Sequence, residues 1–177
     1  MQADGITGKR SFNEIISNKL FSNHQYGFIK GRSTVLQLLH ILDKWTKLLE
    51  EGKQVDDIYT DFEKAFDKGP HKRLLSKLRL YGVREDLIKW IKGFLVHRWH
   101  QVRVNSEYSS FMPVTSSIPQ GSVLGPLLFA IYINDLPMYV KNFADCSQFA
   151  DDAKLSRYVS NQEDSANLQK GFCALKE

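Results

Sequence analysis

The stretch "QFADDAKL", residues 148–155, sets two aspartates side by side directly after an apolar aromatic pair. Aspartate is depleted from strands, and adjacent like charges repel when withdrawn from water, so few local structures accommodate it. In one, Ala150 to Asp152 forms a type I′-like hairpin turn, in which aspartate tolerates positive φ and the charges face water. In the other, a divalent cation supplies the opposite charge and the carboxylates are its ligands.

A second acidic site bears on that choice. "YTDFEKAFD" holds Asp61 at the C-terminal end of an apolar strand, 90 positions before Asp151. Two strand-end carboxylate sites meeting on neighbouring strands would hold magnesium ions roughly 3.5–4 Å apart, a spacing that clamps both oxygens of an in-line phosphoryl displacement. An exposed strand end is the plain alternative for Asp61. "IPQGSVLGP" is a third unusual segment. Pro119 forces an extended approach, Gly121 lets the backbone come close to a flat or bulky group, and Gln120 brings an amide donor and acceptor there.

Periodicity places these segments on elements. From Ser33, a plausible N-cap, apolar residues recur at Val35, Leu38, Leu39, Leu42, Trp45, Leu48 and Leu49, and Gly52 supplies a stop, which predicts a helix. "VDDIYTDFEKAFD" reads as a strand running into a turn or short helix. Helices are expected over His71–Tyr81 and from Glu85 to about His97, the latter with acids in its first turn, where the helix dipole favours them. Val102 and Val104 alternate with Arg103 and Asn105 as in a strand, with a hairpin turn near Asn105–Ser109. An apolar helix is expected over roughly Leu124–Tyr139, limited by Pro126 and Pro137. A second hairpin around Ala150–Asp152 and a polar helix from about Gln162 close the chain. This irregular order argues for an α+β domain, an antiparallel sheet with helices packed on one face.

Length and composition fit a single globular domain: 177 residues, 42% hydrophobic and 25% charged. Cys146 and Cys173 form no zinc or disulfide pattern, and His71, His97 and His100 carry no metal-ligand spacing with a cysteine. A reducing intracellular setting, nucleus or cytoplasm, is expected. The start, "MQADGITGKR", is too polar for a signal peptide. The longest apolar run is 11 residues and contains Gly125 and Pro126, too short to span a membrane. The net charge of +4 is uneven, because residues 68–103 hold ten Lys/Arg against two acids. That asymmetry suits a polyanion partner, with solvated helix faces as the alternative.

Together these segments resemble the reverse transcriptases of non-LTR retrotransposons, the LINE-type elements of the Jockey and CR1 kind. "QYGFIKGRST" (25–34) looks like the fingers motif and "IYTDFEKAFDKGPHKRLLSKL" (58–78) like motif A. "SSIPQGSVLGPLLFAIYINDLP" (116–137) looks like motif B and "FADDAKL" (149–155) like motif C. The resemblance implies a right-hand polymerase palm with partial fingers. It implies an RNA template, a DNA primer, dNTP substrates and magnesium, with manganese as the alternative ion. Asp61 and Asp151 would bridge two metal ions, with Asp152 the less direct carboxylate. Phe66 matches the aromatic gate against a ribose 2′-hydroxyl; Phe62, Gln120 and Gly121 fall beside the incoming nucleotide; Lys30 and Arg32 fall where fingers meet triphosphate or template.

Some positions depart from the family. Ile29 stands where a basic residue is usual, Gly69 where a β-branched one is, Ser117 where glycine precedes the Pro-Gln-Gly, and Gln148 where an apolar residue leads to the aspartates. The chain is expected to be a partial domain over 1–177, ending before motif D, the primer grip and the thumb. It is also expected to begin after the endonuclease, with thumb and endonuclease supplied by a longer element protein, and Ser11–His24 looks shortened. An inactive remnant with weak nucleic-acid binding is the second reading. A stand-alone two-metal nuclease or phosphatase is the third, but it leaves "FEKAF" and "IPQGSVLGP" unexplained.

Overall fold

The computed structural model describes residues 20–175; the polar start and most of Ser11–His24 lie outside them. In chain order the elements are α1 (Thr34–Glu50), β1 (Gln54–Asp61), α2 (His71–Leu80), α3 (Glu85–Leu95), β2 (Trp99–His100), β3 (Arg103–Val104), β4 (Glu107–Tyr108) and β5 (Met112–Pro113). They continue with α4 (Gly125–Tyr132), α5 (Leu136–Val140), β6 (Asp145–Phe149), β7 (Asp152–Val159) and α6 (Gln162–Ala174). Among the described residues, two compact units divide them: Lys64–Tyr132 in one, and Phe21–Glu63 with the residues from Ile133 onward in the other.

The second unit is built on a three-stranded antiparallel sheet of order β1-β7-β6. Strand alternation sorts its side chains into two faces. Leu155 and Cys146 pair across β7 and β6 and, with Val140, Ala144 and Leu168, make a buried cluster against which Ile58 and Phe172 pack. Gly171 lets α6 come close, since a Cβ there would lie 3.0 Å from the Phe143 side chain. The expected antiparallel sheet with helices on its apolar face is thus present. In addition, α1 lies over the opposite, polar face, where Lys154 Nζ sits 3.6 Å from the centre of the Trp45 ring.

Helix α1 starts as anticipated, with Ser33 Oγ accepting from Leu36 N at 3.2 Å, and Gly52 follows it at φ +71°. Its apolar stripe is only partly used. Ile41 is buried and Trp45 and Leu48 are half-buried, while Val35, Leu38, Leu39, Leu42 and Leu49 remain exposed. The polar sheet face offers the helix a narrow contact.

The first unit is mainly helical. Leu74, Leu75 and Leu78 of α2 and Ile88, Ile91 and Leu95 of α3 are buried, and α2 packs against both α3 and α4. The short pairs β2–β5 and β3–β4 form an exposed hairpin, closed by Asn105 and Ser106, both at positive φ as a type I′ turn requires. The helix anticipated over Leu124–Tyr139 is two helices, α4 and α5, parted by a turn at Ile133–Asp135. The Pro137 ring would clash with the carbonyl of Ile133 in a continuous helix, so the chain breaks and restarts with the proline in its first turn. No helix among the described residues is long and apolar enough to cross a membrane.

Candidate active site

The sheet brings the three aspartates together. Asp61 ends β1, Asp152 begins β7, and the two are direct partners in the antiparallel register. Phe149 is the partner of Asp152 on the other side, so β6 and β7 are joined by the two-residue turn Ala150–Asp151. The residue at positive φ in that turn is Ala150, at +54°, and not an aspartate. A type I′ turn needs positive φ at both central residues, so the anticipated turn type does not form.

Like charges directly opposite across a ladder repel. The carboxyl of Asp152 is accordingly pushed above its ordinary value of 3.8, by partial desolvation and then by the charges of Asp151 and Asp61. Among the described residues none of the three is ion-paired. The nearest cation along the strand, Lys154, is engaged elsewhere: its ammonium donates to Tyr59 Oη at 2.9 Å and lies 3.7 Å from Asp57 Oδ2. Among the described residues the negative charge of the cluster is therefore not compensated by an ion pair.

All-oxygen, anionic donors suit a hard divalent cation. Among the described residues no three His, Cys, Asp or Glu side chains are gathered as a ready-made cation cage. An open set fits magnesium, which is commonly held by one or two carboxylates and completes its shell with water and substrate phosphate oxygens.

The remaining candidates divide between the two units. Phe62 follows β1 half-buried, Lys30 is exposed, and Arg32 is half-buried and turned inward, donating to the carbonyls of Ser22 and Gln25 and to Asn23 Oδ1. In the helical unit Phe66 stacks on Phe129, with centroids 4.2 Å apart, and its carbonyl accepts from Ile118 N at 2.8 Å. Gln120 and Gly121 form an exposed turn, with Gly121 at φ +74°. Ser122 Oγ donates to Pro119 O at 2.7 Å and accepts from Gly125 N at 2.9 Å, capping the start of α4.

Sequence reasoning passed over Gln25 and Gly27, which abut the Ala150–Asp151 turn, and Lys154, which links α1 to the sheet. A glutamine two residues before a glycine carries no local sign of burial. Lys154 did carry a signal: a charged residue in a strand with apolar flanks.

Residues 7–171 match the family described as reverse transcriptase (RNA-dependent DNA polymerase). The chain is 33% identical over 132 residues to a probable RNA-directed DNA polymerase from transposon BS of Drosophila melanogaster, covering 71% of the chain and 14% of that protein. It is 30% identical over 177 residues to the corresponding protein of the X-element transposon, covering 97% and 18%. To the RNA-directed DNA polymerase from mobile element jockey it is 32% identical over 122 residues, covering 68% and 13%. The chain thus spans less than a fifth of the length of these relatives. A solved apo telomerase from Candida tropicalis, truncated from its C-terminal domain, superposes with a TM-score of 0.67 at 12% identity, over 93% of this chain and 35% of that one. At that identity the likeness concerns the fold alone, and it agrees with an α+β palm-and-fingers fragment.

Proposed function

Since the chain belongs to the reverse transcriptase family, as a LINE-type domain, we propose that it is the palm and part of the fingers of an RNA-directed DNA polymerase. It would add dNTPs to a primer 3′-hydroxyl on an RNA template. The direct pairing of Asp61 with Asp152 beside the turn that carries Asp151 supports this best, because it concentrates at one end of the sheet three carboxylates that are in no ion pair among the described residues. Asp61 and Asp151 would hold two divalent cations, magnesium first and manganese as the alternative, with Asp152 supporting them. Such ions lower the pKa of the attacking hydroxyl and neutralise the departing pyrophosphate.

The chain's own residues supply placement. The β1–β7 register fixes the spacing of Asp61 and Asp152, and water-exposed edges at both leave room for substrate oxygens. Phe66, anchored on Phe129, would act as the ribose gate, and Gln120 with Gly121 would border the nucleotide. Lys30 is the exposed fingers cation for a phosphate. Of the basic segment, Lys72, Arg73, Lys89, Lys92 and Arg103 are exposed, whereas Arg79 and Arg84 pair with Glu85 and Asp86.

Primer extension on an RNA template with magnesium, comparing the chain with Asp151→Ala, tests the proposal. Extension lost in the variant supports it; identical background in both refutes it. A catalytically inactive remnant is the second reading, and Gln148 favours it: the side chain is fully buried and, among the described residues, neither its oxygen nor its nitrogen has a hydrogen-bond partner. A remnant binder would hold an RNA–DNA duplex with a log–log salt slope of about −4.5 if those five cations met phosphates. A flat slope excludes phosphate reading by this surface.

A further inference from the structure

Residues His24–Tyr26 run parallel to the end of β6. Tyr26 N donates to Gln148 O and Gln148 N to His24 O, each at 2.8 Å. This short ladder carries Gln25, which is 0% exposed, to the head of the β6–β7 turn. There Gln25 Oε1 accepts from Ala150 N at 2.9 Å and from Gly27 N at 2.7 Å, while Nε2 donates to Ala150 O at 3.3 Å. One primary amide thus takes both backbone polar groups of Ala150.

The turn needs such a partner. Ala150 is buried and left-handed, a conformation that alanine disfavours, so its peptide groups must be held from outside the hairpin. Gly27 makes the approach close enough: a Cβ there would lie 2.2 Å from Ala150 N. Arg32 braces the segment from behind through the Gln25 and Ser22 carbonyls.

We propose that Gln25 is a positioning residue that locks the Ala150–Asp151 turn and thereby sets Asp151 and Asp152 against Asp61 for cation binding. The cation part rests on the polymerase reading of those carboxylates. The amide chemistry is specific. Methionine fills a similar volume but leaves Ala150 N, Gly27 N and Ala150 O without partners.

The test uses the full 177-residue chain as wild type, Gln25→Met, Gly27→Ala and Asp151→Asn. Amide hydrogen exchange is read at Ala150 and along β1 and β7, and Mn2+ affinity is read by electron paramagnetic resonance. In Gln25→Met, exchange at Ala150 is expected to rise at least about tenfold with the β1–β7 amides unchanged. Mn2+ affinity is expected to fall about 10–100-fold, as when other outer-shell supports of metal ligands are removed. Gly27→Ala perturbs the same turn by wedging and is expected to give the same local signature, which keeps the proposal testable should Gln25→Met not fold. Unchanged Ala150 exchange and Mn2+ affinity in a folded variant would overturn the proposal, and so would a uniform loss of protection across β1 and β7. Equal Mn2+ binding by wild type and Asp151→Asn would instead sink the carboxylate reading, and exchange at Ala150 alone would then decide whether Gln25 locks the turn.

Discussion

Ser117→Gly should stabilise the protein. Ser117 sits at φ +91°, in the left-handed region that favours glycine. Its backbone has no freedom to relax. Ser117 N donates to Gly69 O at 3.2 Å, and Ser117 O accepts from His71 Nε2 at 2.8 Å and from Arg98 Nη2 at 2.9 Å. Holding a non-glycine residue there costs about 2 kcal/mol. Glycine relieves that strain but adds freedom to the unfolded chain, worth about 0.7 kcal/mol. It also forfeits the long Arg98 Nη2 to Ser117 Oγ bond of 3.3 Å, worth about 0.5 kcal/mol. A net gain of about 1 kcal/mol remains, which for a chain of this size raises Tm by about 2–4 °C. Thermal unfolding followed by circular dichroism measures the shift, and urea unfolding with an unchanged slope confirms its origin in stability. Ser117→Ala is the control: it keeps the Cβ and loses the hydroxyl, so it should be slightly destabilised. A Ser117→Gly variant no more stable than wild type would refute the strain argument. An equal gain from alanine would move the cause from backbone to hydroxyl.

Gly69→Ala should stabilise by about 0.4–1 kcal/mol in urea unfolding, because its φ is not positive and the new Cβ would meet Ile118 carbons at 3.8 Å, an ordinary contact. Burial, and then the charge of Asp145, push the Cys146 thiol up to about 12, whereas Cys173 is exposed. Ellman's reagent at pH 8 should therefore titrate one thiol in the native protein and two in denaturant, and two in the native protein would contradict the burial of β6. The Asp152 pKa is raised above 3.8 in the folded state, so the native chain holds that proton more tightly than the unfolded one, and stability falls as pH rises through the window just above 3.8. Asp152→Asn should raise Tm at pH 7, by no more than the equivalent of about 0.5 kcal/mol at this water-screened position. The gain should shrink toward pH 4, and a gain that is constant with pH would exclude repulsion as its source.

Much of the local structure was legible because its causes are local. Ser33 and Gly52 bracket α1, Asn105–Ser106 forms the turn its residues suggest, and the alternation of Val102 and Val104 with Arg103 and Asn105 marks the strand before it. Asp61, Asp151 and Asp152 were legible as candidates because carboxylates at apolar strand ends demand an explanation. Pro137 announced a helix limit, but the break at Ile133–Asp135 follows from the proline acting four residues back along the chain.

Tertiary structure decided the rest. A period of two assigns side chains to faces and does not choose the partner strand or the register, so the pairing of Asp61 with Asp152 depends on chain segments some 90 positions apart. The direction of α1's apolar stripe depends on how little of the sheet face beneath it is apolar. Arg32 turns inward because carbonyls of its own loop lie within reach. Ala150 rather than an aspartate takes the left-handed position, held by Gln25 from 125 residues away. The sequence by itself determined most of the elements and which carboxylates stand at their ends. Only the packed chain determined which of those ends meet, because register and side-chain pairing depend on contacts between segments that no local pattern encodes.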